Sequence, residues 1–161
     1  MLRCEYALAL IALGRAPIAV MSAGGVRIVA ILVVTAETVF MAVILIVEDD
    51  VFIREIAELM IEDWGHHALS ASDIDGALSL LRSPQHIDAL FTDIYLKTAV
   101  FGGCDLAHQA IKLRPKLRVL YTTGNFVTDK MKALFVNGRH FLRKPYTPDQ
   151  LQDSVEHMLA A

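Results

Sequence analysis

From Met41 onward the chain alternates between two rhythms of apolar residues. Short runs at Ala42–Val47, Ala68–Ala71, Ile87–Thr92, Leu117–Thr122 and His140–Arg143 read as strands. The first is continuously apolar and rich in β-branched residues, which predicts a strand buried on both faces. Between the runs, apolar residues recur at helical spacing. Val51–Trp64 places Ile53, Ile56, Ala57, Met60 and Ile61 on one face, with Gly65 as its stop. Ser72 and Asp73 offer N-caps for a helix through Ala77, Leu78, Leu80 and Leu81, ended by Ser83-Pro84. A third helix is expected from about Cys104 to Leu113, stopped by Pro115, and a fourth over 126–136, stopped at Asn137-Gly138. Thr147-Pro148-Asp149-Gln150 opens the last helix: Thr147 caps, Pro148 takes the first helical position and Gln150 completes a capping box. This helix presents Leu151, Val155, Met158 and Leu159 to the core.

Five strands alternating with five helices predict an α/β fold, a doubly wound five-stranded parallel sheet covered on both faces. The 161 residues suffice for one domain with a proper core.

Met1 to Phe40 stand apart as an apolar N-terminal extension, with residues 41–161 forming the domain proper. The longest uncharged stretch in the extension, Ala16–Val26, is shorter than a membrane span. Three readings fit. Met41 is the natural start and the extension is translated upstream sequence; the extension associates with a membrane or a partner; or Arg3 followed by the apolar Ala7–Leu13 is a cleaved signal.

Hydrophobic residues make up 55% of the chain and the mean hydropathy is +0.46, with the excess concentrated in the first 47 residues. A net charge of −3 and a pI near 6.0 give no footprint of a nucleic-acid-binding surface. Cys4 and Cys104 form no CxxC or zinc spacing and read as free thiols of a reducing compartment. The adjacent His66–His67 read as turn and strand surface, since no Cys or carboxylate falls at ligand spacing.

Open parallel sheets carry their reactive groups at the carboxyl ends of the strands. Here the first strand ends in Glu48-Asp49-Asp50, the third in Asp93, the fourth in Thr122-Thr123 and the fifth in Lys144-Pro145. Stacked carboxylates repel, so they signal either a solvated turn or a positive partner. Glu48, Asp49 and Asp93 would converge as oxygen ligands for a hard divalent cation, and magnesium suits such a set. A metal, a lysine and a hydroxyl together suit a phosphoryl group. Asp93, alone on the central strand, is the candidate nucleophile, and its product would be an acyl phosphate.

The motifs VEDD, FTD, TTG and RKPY, in this order on this alternation, resemble the receiver domain of two-component response regulators, of the stand-alone type. The resemblance covers about residues 42–160. Asp93 lies 44 positions after Asp49 and 51 before Lys144, spacings typical of the family. The resemblance implies a flavodoxin-like strand order of 2-1-3-4-5, with Asp93 as the phosphorylated aspartate. It implies that Glu48 and Asp49 position Mg2+, with the backbone carbonyl of Tyr95 as a further ligand. Thr123 resembles the switch hydroxyl, with Thr122 facing away, and Lys144 the phosphoryl-binding lysine, its bond to Pro145 cis. Phe141 stands where the family places a switch aromatic; ordinary core packing is the alternative. The segment DIYLKTAVFGG departs from the family, with Lys97 in a position usually held by proline. Bulky Tyr95 is expected to shield the acyl phosphate from water.

The implied function is a cytoplasmic phosphoprotein of signal transduction. It would accept a phosphoryl group on Asp93 from a sensor histidine kinase or histidine phosphotransfer protein, as in a phosphorelay. It would catalyse its own phosphorylation and dephosphorylation without being an enzyme in the ordinary sense. A conformational switch would then control a downstream protein effector. With no output domain in view, DNA binding is not expected, and dimerisation on phosphorylation stays open. Two alternatives stand beside this reading. One is a magnesium-dependent phosphatase or hydrolase with an aspartyl nucleophile, disfavoured because Asp93 lies on the third strand. The other is a degenerate receiver acting only as an interaction module.

Overall fold

A computed structural model of the protein describes residues 18–23, 26–31, 41–97, 101–136 and 140–160. The chain divides into two compact units, Met1–Val39 and Phe40–Ala161. In the first unit β1 (Ile18–Ala23) pairs antiparallel with β2 (Val26–Ile31), in register from Ile18 opposite Ile31 to Ala23 opposite Val26. The sequence reading did not anticipate this pair. Cys4 and the apolar stretch Ala7–Leu13 lie outside the described residues.

The second unit runs β3 (Val43–Val47), α1 (Val51–Asp63), β4 (His67–Ala71), α2 (Ile74–Arg82), β5 (Ala89–Asp93), α3 (Gly102–Leu113), β6 (Arg118–Thr123), α4 (Asp129–Lys132), β7 (His140–Arg143) and α5 (Pro148–Ala160). Its five strands are parallel in the order β4-β3-β5-β6-β7. Counted from β3 this is the expected 2-1-3-4-5.

The continuous apolar run of β3 has a direct cause. Leu45 and Val47 enter one core with Leu78, Leu81, Leu106 and Ala110 from α2 and α3. Ile44 and Ile46 enter the other, with Ala57 and Ile61 of α1 and Leu151, Val155 and Met158 of α5. A strand with helices on both faces has no solvent side to spend on polar residues.

Local signals set most boundaries. The Asp73 carboxylate accepts the Gly76 N–H at 2.8 Å and starts α2. Thr147 and Gln150 form the expected capping box: Gln150 Oε1 accepts the Thr147 N–H at 3.0 Å, and Thr147 Oγ1 accepts the Gln150 N–H at 3.3 Å.

Two expectations need correction. The helix foreseen over 126–136 is the single turn α4. Beyond it the Val136 N–H donates to the Tyr121 hydroxyl at 3.1 Å, and Phe135 stacks on the Tyr121 ring at 4.3 Å. These contacts draw the chain toward the sheet and end the helix. The expected stop at Asn137-Gly138 lies outside the described residues. Ile56, placed on the core face by spacing, is 51% exposed, because only Ala57 and Ile61 of α1 are buried.

Candidate functional site

The carboxyl ends of β3 and β5 are neighbours at the point where the strand order reverses. That is where open α/β sheets bind ligands. Each of the three carboxylates after β3 has its own task. Asp50 caps α1, its Oδ1 accepting the N–H groups of Phe52 at 2.9 Å and Ile53 at 3.2 Å. Asp50 therefore belongs to the helix terminus. Glu48 is buried, and its main-chain carbonyl accepts a 2.7 Å hydrogen bond from Arg54 Nη1. Asp49 is half-buried and keeps its side chain at the site.

Asp93 ends β5. Its Oδ1 accepts the Tyr95 N–H at 3.0 Å and its Oδ2 accepts from Lys144 Nζ at 2.6 Å. Lys144 also donates to Glu48 Oε2 at 2.5 Å. The lysine reaches this place because its own N–H donates to the Thr123 carbonyl at 2.8 Å, across the ends of β6 and β7. The Lys144-Pro145 bond is cis, as expected. Burial pushes the Glu48 carboxyl above its ordinary pKa, against the pull of Lys144. Burial works against the charge on Lys144, but Asp93 and Glu48 outweigh it and hold its pKa above the ordinary lysine value.

Oxygens of Glu48, Asp49 and Asp93 lie within 4.8 Å of one another. All are hard donors on a partly open face, so the set fits a magnesium ion that keeps several waters. Gly103 packs against the backbone of the strand end that carries Asp93. A Cβ there would lie 1.9 Å from the Asp93 carbonyl oxygen, and the Gly103 N–H donates to the Ile94 carbonyl at 3.1 Å. Only glycine lets α3 start this close to the strand end.

The two threonines of β6 differ. Thr123 Oγ1 accepts the Asn125 N–H at 3.1 Å, which leaves its own proton to donate. Thr122 Oγ1 is buried with no partner among the described residues. The Tyr95 ring lies 5.7 Å from that of Phe101, and its hydroxyl approaches Met131 Sδ at 3.7 Å. Phe141 is 41% exposed, with its ring centroid 6.3 Å from that of Phe135.

The structure also supplies contacts that the sequence reading lacked. Lys97 Nζ lies 3.4 Å from Asp49 Oδ2. Arg143 stacks over the Phe126 ring at 4.2 Å. The contact of Arg54 Nη1 with the Glu48 carbonyl, six residues back, is also new to the structure. Residues 98–100, in the loop that departs from the family pattern, lie outside the described residues.

The family model described as the response regulator receiver domain matches residues 44–156. The chain belongs to this family. Receiver domains are phosphoacceptors of two-component systems, and they bind magnesium through acidic residues such as those gathered here. The hydrolase alternative loses its ground. NtrX of Azorhizobium caulinodans, a nitrogen assimilation regulatory protein, is 29% identical over 117 residues, covering 72% of this chain and 26% of its own. A probable transcriptional regulator, ycf27 of Porphyridium aerugineum, is 25% identical, covering 72% of this chain and 47% of its own. The chain thus spans about a quarter to a half of these curated relatives. Among solved structures, a receiver protein from Sinorhizobium medicae is 25% identical with a TM-score of 0.69, covering 76% of this chain and 97% of its own. NtrX from Brucella abortus is 30% identical with a TM-score of 0.62, covering 74% and 26%. Among the described residues, no helix is long and apolar enough to cross a membrane.

Proposed function

We propose that Asp93 is the phosphoacceptor of this receiver domain and that the donor is a phosphohistidine on a sensor kinase or phosphotransfer protein. The observation that carries this is the grip on Asp93. Lys144 and the Tyr95 N–H hold its two oxygens beside Glu48 and Asp49. A carboxylate oxygen of Asp93 attacks phosphorus, the nitrogen–phosphorus bond breaks and the imidazole leaves. The product is an acyl phosphate. Lys144 then lies within reach of the phosphoryl oxygens. Glu48, Asp49 and Asp93, with the Tyr95 carbonyl, would hold magnesium. When bound, that ion offsets charge on the phosphoryl oxygens. Hydrolysis at the same residues would return the domain to rest.

The output is a switch of shape. Thr123 is the hydroxyl that donates to the phosphoryl group, supported by the proton its Asn125 contact leaves free. Phe141 is the aromatic that turns inward, supported by its half-exposed position beside Phe135. A cytoplasmic effector would read the altered β6–β7 face. The donor would dock on α1, whose Phe52 (72% exposed) and Leu59 (67% exposed), with Ile56, form an apolar ridge that starts beside the acidic cluster.

The test is intact mass after incubation with magnesium and a small-molecule phosphoryl donor. One magnesium-dependent phosphoryl adduct, absent in Asp93→Asn, is expected. An adduct that persists in Asp93→Asn would move the acceptor elsewhere.

A further inference from the structure

Asp49 carries an ion pair that the rest of the cluster does not need. Lys144 already bridges Glu48 and Asp93. Lys97 adds a second ammonium, 3.4 Å from Asp49 Oδ2. The two partners differ in freedom: the Lys97 side chain is 77% exposed, whereas that of Asp49 is largely covered. Leu96, the preceding residue, is buried and anchors the backbone from which Lys97 reaches out.

We propose that Lys97 is a tethered competitor for the divalent cation, and so a residue that sets metal affinity. The proposal rests on the reading that Glu48, Asp49 and Asp93 hold magnesium. Magnesium takes its carboxylate oxygens at about 2.0–2.1 Å. An ammonium already paired with that oxygen has to give it up, and it is then repelled by the two positive charges that arrive. The exposed stem of Lys97 lets it swing into solvent, so metal binding is opposed without being blocked. The tether keeps the ammonium near Asp49 at every metal concentration. An exposed pair of this kind is weak, so its removal tightens metal binding by about two- to fivefold. The pair is open to solvent, so the effect shrinks as salt rises.

The experiment is calorimetric titration of the full chain with magnesium chloride, at low and at high ionic strength. Wild type is compared with Lys97→Gln, Lys97→Arg and Asp49→Asn. Lys97→Gln is expected to bind magnesium about two- to fivefold tighter at low salt, with the gap closing at high salt. Lys97→Arg keeps the charge and is expected to match wild type. Asp49→Asn is expected to lose most of the binding. Binding by Lys97→Gln alone, with none by wild type, would overturn the weak-competitor reading, because Lys97 would then block the site and not merely oppose the ion. Equal affinity of Lys97→Gln and wild type, with Asp49→Asn still defective, would overturn the role of Lys97 and leave the metal site standing. No binding by any of the four proteins would overturn both.

Discussion

Replacing Gly103 by alanine sets two physical effects against each other. Gly103 lies in the first turn of α3, where helix propensity alone favours alanine by about 1 kcal/mol. The surroundings oppose it. The added Cβ would sit 1.9 Å from the Asp93 carbonyl oxygen, 2.8 Å from its carbonyl carbon and 3.0 Å from Ile94 Cα. All three are backbone atoms of the strand end, so no side chain can swing away. Relief requires α3 and the end of β5 to move apart. That strains the Gly103–Ile94 hydrogen bond and shifts Asp93 itself. Overpacking in a close-packed interior costs about 1–3 kcal/mol. The rigid obstacle places this case at the upper end, for a net loss of about 1–2 kcal/mol after the propensity gain. Gly76→Ala is the control. Its Cβ would meet Asp73 Oδ1, the oxygen that caps α2, at 3.3 Å and Ala71 Cβ at 3.5 Å, so a slight shift of the cap opposes the propensity gain and the variant is expected to stay within about 1 kcal/mol of wild type. Urea unfolding of both variants and wild type, followed by far-UV circular dichroism, reads the two differences. A Gly103→Ala protein as stable as wild type would refute the reasoning, because helix propensity would then outweigh the contact. Slower phosphorylation of Gly103→Ala by a small-molecule donor is expected alongside the lost stability.

Three further outcomes follow from the site. Lys144→Met leaves Glu48 and Asp93 facing each other without a cation and is expected to cost about 1.5–3 kcal/mol, part of it recovered by magnesium; denaturant titration with and without the ion measures both. The folded chain holds the Lys144 proton above its ordinary value of 10.5, so this stabilisation is complete below about pH 10.5 and fades as pH rises through the folded value. Thermal unfolding across that range should show the decline in wild type and a flatter profile in Lys144→Met. The double variant Phe52→Ala, Leu59→Ala removes exposed surface, so its stability is expected to stay within about 0.5 kcal/mol of wild type. Phosphotransfer to it from a phosphohistidine donor should slow about tenfold while the small-molecule rate holds; equal slowing with both donors would remove α1 as the docking face.

From Met41 onward the sequence by itself determined the order of elements and the places of the reactive groups, whereas the β1–β2 pair ahead of it was not foreseen. Strand and helix periods are local properties, and so are caps such as Asp73 and the Thr147–Gln150 box. The apolar run of β3 was legible because Ile44, Leu45, Ile46 and Val47 each have a core to enter. Carboxylates after β3 and at the end of β5 stood out because such charges have no place within a buried strand. The division of labour among them needed the folded chain. Asp50 caps α1 through neighbours two and three residues on, but whether Asp49 meets Lys97 or Glu48 meets Lys144 depends on partners up to 96 residues apart, and no local period encodes such a meeting. The short α4 is also a tertiary result, since the pull of Tyr121 on Val136 outweighs a helical pattern. Ile56 follows the same logic: spacing placed it on a helix face, but only the angle at which α1 lies on the sheet decided which part of that face met the core.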